Sequence, residues 1–177
     1  MTPTTVQIDN IKDSIRSIPD FPKKGILFRD ITPLLLDKDK FRYCIDHFAE
    51  KAGGQVDCVI SIESRGFIFG SALAYKLNVG FIPIRKEGKL PFDKISTSYA
   101  LEYGTAAIEI HSDAIKRGSR VLIIDDVLAT GGTVKAAIDL VRRFHGQIQG
   151  AYFLVEISEL KGREKLDGVP VYSLVSY

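Results

Sequence analysis

Four apolar residues in a row, Val121-Leu122-Ile123-Ile124, stop at two adjacent carboxylates, Asp125 and Asp126. Val127 and Leu128 follow, and then a small polar turn, Ala129-Thr130-Gly131-Gly132-Thr133. An unbroken apolar run with β-branched residues reads as a strand buried on both faces, as in a parallel sheet covered by helices. After the turn, Val134, Ala137, Ile138 and Val141 recur at helical spacing. In an open parallel sheet, ligands sit beyond the carboxyl ends of the strands. The predicted helix start offers N–H donors from Thr130 to Thr133, and the helix dipole favours an anion there. Asp125 and Asp126 offer acceptors suited to ribose hydroxyls or a cation. A phosphorylated sugar satisfies both halves. The spacing excludes a Gly-x-x-x-x-Gly-Lys-Ser/Thr loop and a Gly-x-Gly-x-x-Gly dinucleotide fingerprint. A buried strand with an ordinary glycine turn leaves two adjacent carboxylates at the end of a hydrophobic run unexplained.

The rest of the chain repeats this alternation. Ile8, Ile11 and Ile15 mark one face of a short first helix, which Pro19 and Pro22 end. Lys38 to Ala52 reads as a helix with Phe41, Ile45 and Phe48 on one face. Val56 to Ile62 reads as a strand, Gly66 to Leu77 as a helix and Val79 to Ile84 as a strand, which is a right-handed βαβ unit. Ser96 to Tyr103 and Ala106 to Ile110 suggest a hairpin closed at Gly104. Val121 to Ile124 and the helix 132–144 follow. Gly150 to Glu156 and Val169 to Val175 read as strands, with a short helix near Leu160 to Leu166 between them. The expected architecture is α/β, a central mostly parallel sheet flanked by helices.

At 177 residues the chain is expected to be one domain with its own core. A formal net charge of +2 argues against a nucleic-acid or anionic-membrane partner. No apolar run approaches the roughly 20 residues of a membrane span. Met1 to Asn10 has neither a basic start nor an apolar stretch, so no signal peptide is expected. Cys44 and Cys58 fall outside any Cys-x-x-Cys and read as reduced, buried thiols, which fits the cytoplasm. His47, His111 and His145 have no metal-ligand spacing and read as surface residues.

Four further segments carry chemistry. Glu63-Ser64-Arg65-Gly66 lies at a predicted strand end and helix start. Arg65 there can bind phosphate oxygens bidentately or simply cap a turn. Phe21 to Pro33 reads as a shaped loop rather than a strand. Phe28 can stack a planar base or plug the core. The hairpin Ser96 to Gly104 carries hydroxyls, aromatics and Glu102, and is either a lid or a solvated ribbon. In the charged run Glu156 to Leu166, Leu160 could close the other face of a base pocket.

The thirteen positions Val121 to Thr133 resemble the phosphoribosyl-pyrophosphate (PRPP) motif of the type I phosphoribosyltransferases. Together with Phe21 to Thr32, Glu63 to Gly70, Arg85 to Pro91, Ser98 to Gly104 and Leu160 to Leu166, they resemble the adenine-using members of that family, from about Ile15 to Tyr177. The resemblance implies the family's fold, with a small hood over about residues 1–34 and a flexible lid hairpin over about 86–106. It implies transfer of the phosphoribosyl group of PRPP to adenine, giving AMP and pyrophosphate, with Mg²⁺ bound mainly through PRPP. It also implies residue roles. Asp125 and Asp126 take the ribose hydroxyls, and Ala129, Thr130, Gly131, Gly132 and Thr133 the 5′-phosphate. Ser64, Arg65, Arg85, Lys86 and Lys89 face pyrophosphate. Phe28 and Leu160 sandwich adenine, whose edge the backbone near Leu27 and Arg29 reads. Glu102 is the lid carboxylate beside Tyr103, and Glu102 and Arg65 are the catalytic pair. A homodimer is implied as well, with Arg85 or Lys86 expected to approach the partner's phosphates.

Two other classes share part of this pattern. A PRPP-responsive regulator would need a nucleic-acid element, and the roughly 20 residues before Phe21 do not hold a helix-turn-helix domain. A transferase for xanthine or guanine would share Asp125 to Thr133 without the Phe21 and Leu160 segments.

Overall fold

The computed structural model describes residues 5–100 and 104–177, with side chains described from residue 9 to 99 and from 104 onward. Glu102 and Tyr103, the expected lid residues, lie outside the described residues. After α1 (Thr5–Asp13), two three-residue strands, β1 (Arg16–Ile18) and β2 (Phe28–Asp30), pair antiparallel. This corrects the reading of Phe21 to Pro33 as loop throughout: Phe28 faces Ile18 and Asp30 faces Arg16. Asp30 accepts hydrogen bonds from the N–H and the hydroxyl of Thr32, which turn the chain into α2 (Thr32–Leu36).

A seven-stranded sheet follows. Its strands are β3 (Cys58–Ile62), β4 (Gly80–Lys86), β5 (Lys94–Ala100), β6 (Thr105–His111), β7 (Arg120–Leu128), β8 (Gln147–Glu156) and β9 (Val171–Ser176). They lie in the order β5-β6-β4-β3-β7-β8-β9. The five strands from β4 to β9 in that order are mutually parallel, and only β5 and β6 run against their neighbours. Helices α3 (Lys38–Ala52), α4 (Gly66–Leu77) and α5 (Gly132–Arg143) cover the faces. Asp37 caps α3 by accepting from the N–H groups of Asp39 and Lys40, and Gly53 ends it in the left-handed region.

Strand β7 shows why the apolar run is unbroken. Leu122 and Ile124 enter one core with Phe48, Phe69 and Leu154, while Val121 and Ile123 enter the other with Ile138, Ala137 and Phe153. Successive strand residues point to opposite faces, so two cores demand apolar side chains at every position. The strand does not end at Ile124 but continues to Leu128, because β8 runs on beside it and pairs Val155 with Val127 and Glu156 with Leu128. The segment expected as a short helix is instead two 3-10 turns, Ser158–Leu160 and Gly162–Lys165. Arg163 grips both Glu156 carboxylate oxygens and holds those turns to the end of β8.

The histidine reading is corrected too. His47 is buried on α3, packed against Phe48 and Tyr172, and its Nε2 shares a hydrogen bond with the Tyr172 hydroxyl. His111 is half-buried, and only His145 is exposed. Burial, with Lys51 nearby, lowers the pKa of His47. The folded state therefore resists a proton that the unfolded chain accepts near its ordinary pKa of about 6.5. Stability contributed by neutral His47 is present above that pH and is lost as the pH falls below it. Thermal unfolding of wild type and His47→Gln between pH 7.5 and 5 on a common ladder of about half-unit steps checks this. The wild type is expected to lose melting temperature below about pH 6.5 more steeply than the variant.

Candidate active site

Strands β3 and β7 are parallel neighbours, yet the chain leaves β3 toward β4 on one side and returns through β7 on the other. The order reverses between them, and at such a point the connections splay and leave a crevice at the carboxyl ends. Glu63, Ser64 and Arg65 leave β3 there, and the Glu63–Ser64 peptide is cis. Asp125 and Asp126 lie near the same end of β7. A cavity of about 280 Å³ results, lined by Ser64, Arg65, Lys86, Asp125, Asp126 and Thr133, together with Glu63 and Tyr99. A second cavity of about 80 Å³ adjoins it, lined by Asp125 and the turn from Ala129 to Thr133. Gly131 precedes α5 with φ at 78°, and no side chain caps that helix. Its first N–H groups therefore lack side-chain partners and face the small cavity, an arrangement that accepts an anion.

Arg65 organises the crevice. Its Nε lies 2.7 Å from Asp126 Oδ2, its Nη1 donates to the Arg29 carbonyl oxygen at 3.3 Å, and its guanidinium stands 4.9 Å from the Phe28 ring centroid. One cation thus joins the carboxylate pair to the strand that carries Phe28. Asp126 is buried, and its Oδ2 has an ion pair with Arg65 but no well-directed hydrogen bond among the described residues. Burial raises the pKa of Asp125 well above the usual carboxyl range, and the neighbouring Asp126 charge adds to it. Burial raises Asp126 as well, opposed by Arg65. Two carboxyls this close resist holding two charges unless a further cation or hydrogen-bond donors arrive.

Other expected residues sit differently. The Arg85 guanidinium is held by Glu63 Oε2 at 2.8 Å and by the Lys89 carbonyl oxygen at 3.2 Å, while Lys86 lines the cavity of its own chain. Leu27, Lys89 and Leu160 are exposed and line neither cavity.

Roles for Glu63 and Gly162 escaped the sequence reading, whereas Gly66, in the segment it singled out, makes a close approach there. Glu63 is the acid that aims Arg85. Gly66 lies so close to Asp125 that a Cβ there would stand 2.5 Å from Asp125 Oδ1. Gly162 packs its Cα against the phosphate-type turn, where a Cβ would collide with the Ala129 carbonyl oxygen, and a Cβ on Gly131 would collide with the Gly162 carbonyl oxygen. A lone glycine inside the charged run Glu159 to Lys165 was the available signal for the last.

Residues 39–171 match the model of the phosphoribosyl transferase domain. The chain belongs to the phosphoribosyltransferase family. It is 56% identical to an adenine phosphoribosyltransferase of Brachyspira hyodysenteriae over 94% of this chain and 99% of that one. The crystal structure of adenine phosphoribosyltransferase from Thermoanaerobacter pseudethanolicus superposes with a TM-score of 0.93 at 50% identity, covering 96% of this chain and 99% of that chain. The Saccharomyces cerevisiae enzyme, complexed with D-2,5-dideoxy-2,5-imino-altritol 1,6-bisphosphate and adenine, gives 0.91 at 40% identity, covering 97% and 99%.

The contact between Gly66 and Asp125 yields a test. Gly66→Ala improves helix propensity in α4 but must push the Asp125 carboxylate aside. A misplaced charge-assisted hydrogen bond is worth roughly 1.5–3 kcal/mol, so the variant is expected to raise the KM for PRPP about tenfold or more. Its melting temperature by differential scanning calorimetry is expected to stay near that of wild type.

Proposed function

We propose that this phosphoribosyltransferase is an adenine phosphoribosyltransferase, converting adenine and PRPP to AMP and pyrophosphate. The observation that carries the reading is the junction made by Arg65. That guanidinium joins Asp126 to the aromatic strand, and the uncapped helix start lines the cavities beside them. We assign Asp125 and Asp126 to the ribose hydroxyls and the turn Ala129 to Thr133 to the 5′-phosphate. Ser64, Arg65 and Lys86 are assigned to pyrophosphate, with Arg85 and Lys89 beside them. Phe28 and Leu160 stack adenine, and the backbone at Leu27 and Arg29 reads its edge. The hood over about 1–34 and the lid over about 86–106 close on the substrates. The working unit is a homodimer in the cytoplasm. Lys86 in the cavity of its own chain supports a role in cis rather than across the interface.

Adenine N9 attacks C1′ of PRPP as the bond from C1′ to the pyrophosphate oxygen breaks, and the bonding pair leaves with pyrophosphate. Arg65 and the open N–H groups at the α5 start hold negative charge, and the carboxylate pair faces the sugar as positive charge grows on it. Glu102 receives the proton lost from N9. Lid closure excludes water, so PRPP is not hydrolysed, and no residue forms a covalent bond.

Among the described residues no cluster of three His, Cys, Asp or Glu offers a metal cage. Buried Asp126, whose Oδ2 lacks a directed donor, and half-buried Asp125 beside it resist carrying both charges, a donor set that would fit a magnesium ion. Asp125 and Asp126 would hold it through the ribose hydroxyls, and when bound it supplies charge neutralisation for the departing pyrophosphate.

A product assay with PRPP and each of adenine, hypoxanthine, guanine and xanthine tests the reading. Backbone groups matched to a 6-amino edge are left unpaired by a 6-oxo purine, so turnover of the other bases is expected to fall by a factor of about 10⁴. Comparable turnover of guanine or hypoxanthine would refute the adenine assignment. Replacing both carboxylates, Asp125→Asn with Asp126→Asn, is expected to weaken PRPP binding in calorimetry, and unchanged affinity would remove them from the ribose site. Glu102→Leu is expected to lower kcat far more than it raises the adenine KM, because proton transfer matters in the transition state.

A further inference from the structure

Tyr177 contacts both sides of the proposed base pocket without lining the crevice described above. The Arg29 guanidinium lies over its ring, with Cζ 3.5 Å from the centroid, and Arg29 Nη1 donates to Ser17 Oγ. Arg29 Nε is buried with no hydrogen-bond partner among the described residues. The ring face therefore offsets part of the hydration that this cation gives up. The Tyr177 hydroxyl donates to the Lys12 carbonyl oxygen at 3.2 Å, and Lys12 Nζ stands over the same ring at 4.5 Å while donating to the Ser176 carbonyl oxygen.

The main chain of Tyr177 holds the opposite side. Its N–H donates to the Glu156 carbonyl oxygen, and its own carbonyl oxygen accepts from Ser158 N–H, both at 2.9 Å. The hydroxyls of Ser158 and Ser176 share a bond of 2.6 Å. Ser158 opens the 3-10 turn that ends at Leu160, and Arg29 directly follows Phe28 in β2. One side chain thus secures the strand bearing Phe28, while the same residue's backbone secures the turn bearing Leu160.

We propose that Tyr177 is a positioning residue for the purine base, setting the gap between the Phe28 and Leu160 walls without touching substrate. The proposal rests on the adenine reading given above. A planar ring gains dispersion from both walls only at contact distance, and a radial gap of about 0.5–1 Å already forfeits a quarter to a half of it. The aromatic ring carries the tether to Arg29, so the hydroxyl matters less than the ring itself.

Steady-state kinetics and melting temperatures of wild type, Tyr177→Leu, Tyr177→Phe and Arg29→Met test this. Tyr177→Leu is expected to raise the adenine KM about tenfold, with the PRPP KM and kcat within about twofold of wild type, a split that general loosening of the fold would not produce. Tyr177→Phe keeps the ring and is expected to stay within about twofold of wild type, while Arg29→Met removes the cation and should reproduce the Leu variant. An unchanged adenine KM in Tyr177→Leu, a parallel rise in both KM values, or a Phe variant as impaired as the Leu variant would overturn the proposal. Where Tyr177→Leu does not fold, Arg29→Met compared with Tyr177→Phe decides on the same criteria. If the wild type prefers another purine, the adenine reading fails, and the tether is judged on the KM of that purine.

Discussion

The parallel pairing of β3 with β7, Cys58 opposite Val121 through Ser61 opposite Ile124, is the constraint on which the site depends. Each strand is fully buried along this stretch, so neither can slide without exposing apolar surface on two faces. The register therefore delivers Arg65 and Asp126 to the same level at the carboxyl end. Because the following elements diverge, the space above that level is left for a ligand. Apolar burial, which is indifferent to chemistry, thereby sets the relative height of a guanidinium and a carboxylate.

The charges placed there are not balanced within the chain. Arg65 serves one oxygen of Asp126, the Arg29 carbonyl oxygen and the Phe28 ring, while Asp125 packs against Gly66 under the same desolvation. Holding two carboxyls close together away from water is costly, and the cost is recovered only when donors or cations arrive. Such a site is organised for its substrate before the substrate binds, which is the form electrostatic preorganisation takes when no covalent intermediate is used. The same frame extends outward through Arg29 to Tyr177, so the proposed base and sugar regions share one connected set of contacts.

The parts legible in the sequence were those where two-sided burial or a loop with special backbone needs leaves a local signature. The strand at Val121, the turn at Gly131 and helices α3 to α5 carry such signatures. Strands β1 and β2 do not, since three residues are too few for alternation, and Arg16 and Ser17 are exposed. The extension of β7 to Leu128 was hidden by the carboxylates, which break hydropathy but not the ladder. His47 was misread because its burial comes from Tyr172, distant in sequence, which offers both a ring and a hydroxyl. The role of Glu63 depends on meeting Arg85 across β3 and β4, a contact that no spacing rule encodes.

The meeting of Gly131 with Gly162 bears on how the chain can vary over evolutionary time. A tight contact between side chains can usually drift, because enlarging one partner is tolerated once the other shrinks. Here each glycine presses on main-chain atoms of the opposing segment, carbonyl oxygens above all, and neither partner has a side chain left to give up. No second substitution can make room for a first. The two segments are bound to a shared history: a lineage keeps both positions bare, or it must rebuild the whole turn.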